Sequence, residues 1–347
     1  MKFEVLSPGK SSYWNQKLST SHFSSSPTVF HSAEWGKVLF STYKFKPCYF
    51  YILKEKYFQI AIPMFLIDLP FKKNKLVSLP FSDFCTPLSA SEDYFNDLFQ
   101  EIISYSSKHN IKYVEFTSDD NFFDQDNANY FFYSHTLFLN KDEKELFNSL
   151  SSNTQRNIRK AINNDILVKR ENDLGGLKKY YKMHCKTRKR LGLPPQPFSF
   201  FNSIYKNLIV NNLGDIFIAY LNDIYISGAI FLHSFGLVTY KFGASLYEFQ
   251  NYRANNLLMW EAIKYYNKNG FISLNFGRTD EEHEGLRRFK LGFGTNETKV
   301  FSYKFDSRSG SFVKSNKTVS SKLNSFFRLL PIILLRLIGK IAYKYVA

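Results

Sequence analysis

Tyr49-Phe50-Tyr51-Ile52-Leu53-Lys54-Glu55-Lys56-Tyr57-Phe58-Gln59-Ile60-Ala61-Ile62-Pro63-Met64-Phe65 is an apolar run, a short polar turn and a second apolar run, the sequence form of a β-hairpin. The form returns in the second half of the chain as Ile216-Phe217-Ile218-Ala219-Tyr220-Leu221-Asn222-Asp223-Ile224-Tyr225-Ile226-Ser227-Gly228-Ala229-Ile230-Phe231. Each hairpin is followed by a helical stretch ending in a Lys/Asn cluster, then by a strand. In the first half these are residues 94–110 and Ile111-Lys112-Tyr113-Val114-Glu115-Phe116. In the second they are 256–270 and Phe271-Ile272-Ser273-Leu274-Asn275-Phe276. Almost no residue is identical, so the order of elements carries the argument. It predicts two similar α/β domains in tandem, each a mixed sheet flanked by helices, with the hairpins in equivalent positions. Asn140-Lys141-Asp142 sets the expected boundary: 1–141, then 142–306, then a basic tail at 307–347.

The 347 residues suffice for two domains with real cores. Cys48, Cys85 and Cys185 lie far apart with no CxxC, so neither a disulfide framework nor a metal site is expected, and a reducing cytosolic compartment fits. Residues 1–17 lack an apolar stretch behind a basic start, so no signal peptide is read there. Codon usage in an AT-rich genome accounts for the abundant Phe, Tyr, Lys, Asn and Ile better than dedicated stacking surfaces do.

Half of the formal +16 charge sits in residues 307–347, which hold eight Lys/Arg and no acidic residue. The longest apolar run there is seven residues, far short of the ~20 needed to span a bilayer. On a helix, Arg328, Arg336, Lys340 and Lys344 fall within about 160° of arc, opposite Ile333, Leu334, Leu337, Ile338 and Ile341. Such a helix, expected after about Lys322, lies on an anionic membrane. The alternative is a terminal helix docked on the protein's own core.

Arg156, Arg159 and Lys160 share a helical face, an arrangement suited to phosphate, although a solvated face is the commoner outcome of a charge run. His184 and Arg188 stand one turn apart on a predicted helix ended by Gly192 and Pro194. Arg278 follows the predicted strand 272–276, at the carboxyl end where α/β proteins bring ligands, with Arg288 and Lys290 just beyond. GxSxG, P-loop, GxGxxG and HExxH patterns are missing. Direct transfer between two bound substrates therefore suits the inventory better than covalent catalysis: an amine attacks an activated acyl carbonyl while backbone N–H groups hold the oxyanion.

Phe30-His31-Ser32-Ala33-Glu34-Trp35 and Leu76-Val77-Ser78-Leu79-Pro80-Phe81-Ser82-Asp83-Phe84 resemble the first-domain signature of FemAB-like proteins, relatives of the peptidoglycan-bridge aminoacyltransferases. The second domain resembles the acetyltransferase-like (GNAT) module of that group. The matching positions are Arg156/Arg159/Lys160, the run His184 to Lys189, strand 240–245, Asn256 to Ala262, Phe276 to Thr279, Arg288-Phe289-Lys290 and Phe293-Gly294. The resemblance covers about residues 28–305.

It implies tandem GNAT-type domains that transfer an acyl or aminoacyl group to an amine, often on a nucleotide- or lipid-linked envelope precursor. Two departures limit it. Where coenzyme A enzymes carry Q/R-x-x-G-x-G/A, this chain has Gln250-Asn251-Tyr252-Arg253-Ala254-Asn255, with both glycines replaced. No heptad-patterned helical pair interrupts the second domain, so dependence on aminoacyl-tRNA is neither required nor excluded.

Three functions compete: an N-acyltransferase of a cell-envelope or exopolysaccharide precursor, peripheral at the inner membrane face; a soluble coenzyme A-dependent acetyltransferase of a small amine; and a non-catalytic RNA- or membrane-binding protein. For the first, Tyr240, the backbone near Gly243 and Arg278 are expected at the reacting carbonyl. Arg156, Arg159, Lys160, His184, Arg188, Arg278, Arg288 and Lys290 are expected to hold acceptor phosphates. Gln250, Arg253 and Asn255 are left for a donor, acyl-CoA or aminoacyl-tRNA, used as cosubstrate rather than as a tightly bound cofactor. Expected partners are the glycan precursor, an anionic membrane through the tail, and tRNA if it is the donor; DNA is not expected. Glu115, Asp280, Glu281, His283 and Glu284 are equal candidates for general base.

Overall fold

A computed structural model describes residues 11–68, 74–83, 85–118, 122–314 and 321–346. Phe84 of the first-domain motif and residues 1–10 lie outside them. In chain order the elements are α1 (Ser11–Thr20), α2 (Ala33–Tyr43), β1 (Lys46–Lys54), β2 (Tyr57–Ile67), β3 (Lys75–Val77), β4 (Leu88–Ser89), α3 (Glu92–Lys108), β5 (Tyr113–Ser118) and β6 (Tyr130–Phe138). They continue with α4 (Glu143–Ser149), α5 (Ser152–Asn163), β7 (Leu167–Arg170), α6 (Leu174–Arg190), α7 (Phe198–Ile204), β8 (Gly214–Leu221), β9 (Ile224–Ser234) and β10 (Leu237–Ser245). The last are α8 (Ala254–Lys268), β11 (Ser273–Asn275), α9 (Glu284–Leu291), β12 (Asn296–Asp306), β13 (Ser311–Phe312), α10 (Ser321–Leu329) and α11 (Ile332–Val346).

The described residues group into two units, 11–133 with 298–314 and 134–297 with 321–346. This differs from the division expected at 141/142 and 306/307. The chain returns to the first unit through β12, whose Ser302 to Asp306 pair with Thr117 to Tyr113 of β5, and the tail helices belong to the second unit. Local patterning finds a strand but not its partner, which is why the return was not legible.

Within each unit the same order of pairings appears. In the first, β1 and β2 form the hairpin, β3 runs antiparallel to β2, and β5 lies parallel to β3 over three residue pairs. In the second, β8 and β9 form the hairpin, β10 runs antiparallel to β9, and β11 lies parallel to β10 over three pairs. Each hairpin carries a register shift close to its turn, after Ile52 and after Ala219. The hairpins therefore occupy equivalent positions. Asn222 and Asp223 both hold positive φ (46° and 65°), as a two-residue turn matched to strand twist requires.

In the second unit α5 and α8 cover one sheet face. Leu257, Leu258, Ile263 and Tyr266 of α8 bury against Phe217, Ala219 and Phe231, each large side chain contributing about 1.5–3 kcal/mol of transfer free energy. Helix α6 covers the other face, and Gly228 allows its approach: a Cβ there would stand 2.8 Å from Met183 and 3.0 Å from Ile218. Asp215 stitches β7, β8, β9 and α8 together. It accepts from Tyr266 Oη at 2.8 Å, Asn172 Nδ2 at 2.7 Å, His233 Nε2 at 3.1 Å and Arg170 Nη1 at 3.2 Å. Burial pushes this carboxyl up, but the hydrogen bonds from His233, Asn172 and Tyr266 outweigh it and hold it below its ordinary value.

The tail breaks at Leu330-Pro331, Pro331 having no N–H to continue a helix. Helix α11 docks on α6 by one stripe: Leu335 is fully buried, Gly339 lies against the Pro195 carbonyl, and Arg188 Nη2 donates to Tyr343 Oη at 2.7 Å. Its opposite stripe stays uncovered, with Ile333, Leu334, Leu337 and Ile341 46–71% exposed. Docking on the protein and an outward apolar face thus coexist on one helix.

Candidate active site

Strands β10 and β11 diverge. Their parallel register runs from Leu237↔Ser273 to Thr239↔Asn275, whereas β10 continues to Ser245 paired to β9. Residues 240–245 therefore lack a β11 partner along one edge, and a register shift between Tyr240 and Phe242 sits where the divergence begins. An extended acyl carbonyl can take hydrogen bonds from such backbone N–H groups. Tyr240, which packs on Phe231 at 5.4 Å between ring centroids, has its phenol pushed up to about 12 by burial, so it is a neutral hydroxyl at working pH. Its oxygen lies directly against the Cα of Gly243, leaving no room for a Cβ. The structure thus brings Tyr240 and Gly243 together on this edge.

Beyond β11, Asn275 shapes the next turn. Its Nδ2 donates to Ser134 Oγ (2.8 Å) and Thr136 Oγ1 (2.9 Å), and its Oδ1 accepts from Gly277 N–H (2.7 Å). Gly277 itself is left-handed, with φ of +71°. Lys290, only 2% exposed, reaches in from α9 and donates Nζ to the carbonyls of Gly277 (2.7 Å) and Arg278 (3.0 Å).

Nearby, His135 Nε2 bonds Glu297 Oε2 at 2.9 Å, and Arg287 clamps the same carboxylate with two contacts of 2.6 Å. Those Arg287 hydrogen bonds hold Glu297 below its ordinary value. Burial, then the charge of Lys290, lowers His135. A neutral His135 that donates from Nε2 leaves Nδ1 bare. That atom and Thr279 Oγ1 are buried without a hydrogen-bond partner. Buried polar atoms are rarely left so, and both belong to segments around the Lys290 turn.

The expected phosphate-binding set does not assemble as one group. Arg278 donates Nε and Nη2 to Asp280 Oδ1 at 2.8 and 2.5 Å, so an anion must share it with a carboxylate. Arg156 bonds Asn153 Oδ1, and Arg159 bonds Gln155 Oε1 and stacks over Phe147; with Lys160 they are exposed on α5. The start of α5 does adjoin the end of α9, where Ser151 N–H donates to the Gly292 carbonyl at 2.9 Å. Arg288 points away from Lys290 into solvent, 4.0 Å from Glu284.

His184 and Arg188 lie on the other sheet face, in α6. His184 is buried, its Nε2 donating to Gln196 Oε1 at 2.9 Å; burial, then Arg188, push its pKa down to about 3. Arg188 ties the tail down. Among the proposed bases, Glu115 belongs to the first unit and is held by Lys75 and Lys304 at 3.1 and 3.3 Å.

Gln250, Arg253 and Asn255 do share one place. They line a cavity of about 250 Å³ at the amino end of α8, with Ser227, Ser245 and Phe289. Arg253 adopts φ of +58°, so the backbone makes there a left-handed turn of the kind that favours glycine. Asn255 Oδ1 accepts from Ser227 Oγ, and its Nδ2 reaches Ser245 Oγ at 3.5 Å, fixing the loop to β9 and β10. Ser227 and Asn275 were missed in the sequence because each directly follows an apolar residue in a strand pattern, and His135 because its run Ser134-His135-Thr136 shows no link to the distant Asn275 and Glu297.

Residues 149–297 match the family model described as Acetyltransferase (GNAT) domain. A Lipid II:glycine glycyltransferase of Staphylococcus haemolyticus is 30% identical over 91 residues, 24% of this chain and 22% of that protein. The match thus spans about a fifth of that relative. In solved structures the fold resembles FemX (TM-score 0.68, 16% identity, 87% of this chain and 97% of that one). It also resembles a tandem GNAT protein from the clavulanic acid biosynthesis pathway (TM-score 0.53, 9% identity, 88% and 98%). Residues 149–297 thus form a GNAT-type domain, and the fold of the chain is that of tandem GNAT-type proteins.

Proposed function

We propose that the chain is an N-acyltransferase that moves an acyl or aminoacyl group onto an amine of a cell-envelope precursor at the inner membrane face. The observation that carries this is the divergence of β10 from β11 at Thr239/Asn275, within the segment that matches the GNAT model. The donor carbonyl lies along residues 240–245. The acceptor amine attacks it, the tetrahedral oxyanion takes hydrogen bonds from β10 backbone N–H groups, and its collapse breaks the bond from the acyl carbon to the donor's oxygen or sulfur, which departs with the proton given up by the amine. Tyr240 and Gly243 shape that edge, and Lys290 adds a buried positive charge behind the Gly277-Arg278 turn.

The name of the Staphylococcus haemolyticus relative favours a lipid-linked acceptor and an aminoacyl donor. The outward apolar stripe of α11 with its flanking Arg336, Lys340 and Lys344 favours work at an anionic membrane; no helix among the described residues is long and apolar enough to cross one. A second reading, a coenzyme A-dependent acetyltransferase, is favoured by the cavity at the amino end of α8, where backbone N–H groups suit phosphates.

Transfer assays with labelled glycyl-tRNA and acetyl-CoA as alternative donors, on lipid-linked and nucleotide-linked muropeptide acceptors, test both readings. Aminoacyl transfer from the tRNA supports the first. Transfer from acetyl-CoA alone, to a small amine, supports the second. Loss of product in Gly243→Ala ties either activity to the β10 edge.

A further inference from the structure

We infer that the groove between α6 and α11 binds the hydrocarbon chain of a phosphate-bearing lipid whose headgroup lies at Lys182, Lys186 and Arg336. The inference rests on the acyltransferase reading only in identifying that lipid with the acceptor, choosing the lipid-linked over the nucleotide-linked precursor. The groove has a volume of about 560 Å³, within the ~300–1,000 Å³ range of ligand sites. Met183, Ile224, Leu246 and Ile332 supply apolar wall; Lys182, Lys186 and Arg336 are the cations among its lining residues, with Asp223 the carboxylate among them and Glu248 3.8 Å from Lys186.

A second groove, of about 440 Å³, lies along the same helix and shares Tyr181 and Arg336 with the first. Arg336 stands over the Tyr181 ring at 5.5 Å, so its charge is held where both grooves meet. Apolar wall beside fixed cations fits an amphiphile with an anionic head better than a free nucleotide, which would leave the wall uncovered.

The occupant is also indicated by what adjoins the groove. Beside it, α11 presents Leu334 and Ile341, 46% and 67% exposed, and α10 presents Phe326 and Leu329, 55% and 82% exposed. Arg328, Lys340 and Lys344 of the same two helices add cations, and neither helix carries an acidic residue. An apolar stripe flanked by cations is the arrangement that rests on anionic lipid, and a chain leaving that lipid layer meets the groove directly.

The test uses the full chain with dodecyl phosphate below its micellar concentration, compared with inorganic phosphate and dodecyl glucoside, by calorimetry. Flotation with phosphatidylcholine vesicles, with and without phosphatidylglycerol, runs in parallel. Dodecyl phosphate is expected to bind at least tenfold tighter than either comparator. Ile224→Trp, which fills the groove from a half-exposed position at the start of β9, is expected to remove that advantage, and Arg336→Gln to weaken it. Leu334→Asp/Ile341→Asp, whose residues line neither groove, is expected to abolish flotation while dodecyl phosphate still binds.

Equal binding of dodecyl phosphate and inorganic phosphate overturns the inference. So does a dimer in sedimentation that the Leu334→Asp/Ile341→Asp variant dissociates, since the stripe is then covered by a second copy. Transfer to a soluble nucleotide-linked acceptor is measured on the same preparation. Transfer without dodecyl phosphate binding overturns this inference and leaves the acyltransferase reading standing. Dodecyl phosphate binding without any transfer supports the groove and overturns the acyltransferase reading alone.

Discussion

Thr239 and Asn275 form the last pair of the parallel ladder between β10 and β11. Past them the two strands part, and β10 stays paired to β9, with Ser245 N–H reaching Thr187 Oγ1 at 3.1 Å. The pair sits at the end of two constraints. Asn275 is drawn toward Ser134 and Thr136 by its side chain and folds the chain back at Gly277, while β10 shifts register between Tyr240 and Phe242. A gap that would be a defect in an ordinary sheet is fixed by both, and it gives the proposed reaction its backbone donors.

Gly243→Ala places a methyl group against the Tyr240 hydroxyl. Overpacking of this kind costs about 1–3 kcal/mol. Because Gly243 lies on the free edge, we expect activity to fall at least tenfold while the variant remains folded. Adding Tyr240→Phe removes the colliding oxygen and is expected to restore part of the stability; a double-mutant cycle of urea midpoints shows it as a coupling between the sites. Additive effects would mean the two residues act apart.

Lys290→Met keeps the length of a buried side chain and removes its charge. The carbonyls of Gly277 and Arg278 then lose donors at 2.7 and 3.0 Å, about 1.5–3 kcal/mol for a hydrogen bond to a charged group. Transfer activity is expected to drop more than stability does, since the turn after β11 borders the proposed site. Measuring kcat alongside the thermal midpoint separates the two effects.

Asp215→Asn replaces an acceptor-only carboxylate by an amide in a site that receives four donors, from Tyr266, Asn172, His233 and Arg170. The amide offers one acceptor oxygen, and its own donors face other donors. A loss of about 3–5 kcal/mol is expected, as for breaking a buried charged network. Equilibrium denaturation measures it, and a loss below 1 kcal/mol would show that the network relaxes.

What the sequence revealed and what it hid divide by range. The hairpins at 49–65 and 216–231 were legible because apolar alternation and turn residues are local, and Asn222-Asp223 names its own turn. The helices after them were legible for the same reason. The return of β12 to β5 was hidden, since pairing Phe301 with Ser118 joins residues far apart in the chain. The cationic residues were visible as charges but not as partners: Arg278 turned out to hold Asp280, and Arg188 to hold Tyr343. The docked and exposed stripes of α11 were not separable in the sequence, because Leu335 and Leu334 are adjacent there yet one is fully buried and the other 46% exposed.

His184 gives the fold an acid limit. The imidazole is neutral in the folded chain, donating from Nε2 to Gln196, with Tyr180 Oη 3.4 Å from Nδ1. Burial, then Arg188, push its pKa down to about 3, against 6.5 ordinarily. The unfolded chain therefore gains a proton near pH 6.5 that the folded chain refuses until about pH 3. The stability linked to this group is complete above pH 6.5 and declines as pH falls through that window, by about 1.4 kcal/mol per unit. Between pH 7.5 and 5.0 this amounts to about 2 kcal/mol. Urea denaturation of the native chain and of His184→Gln at both values checks it: the native chain should lose more stability than the variant by roughly that amount, and equal losses would show that His184 is protonated in the fold.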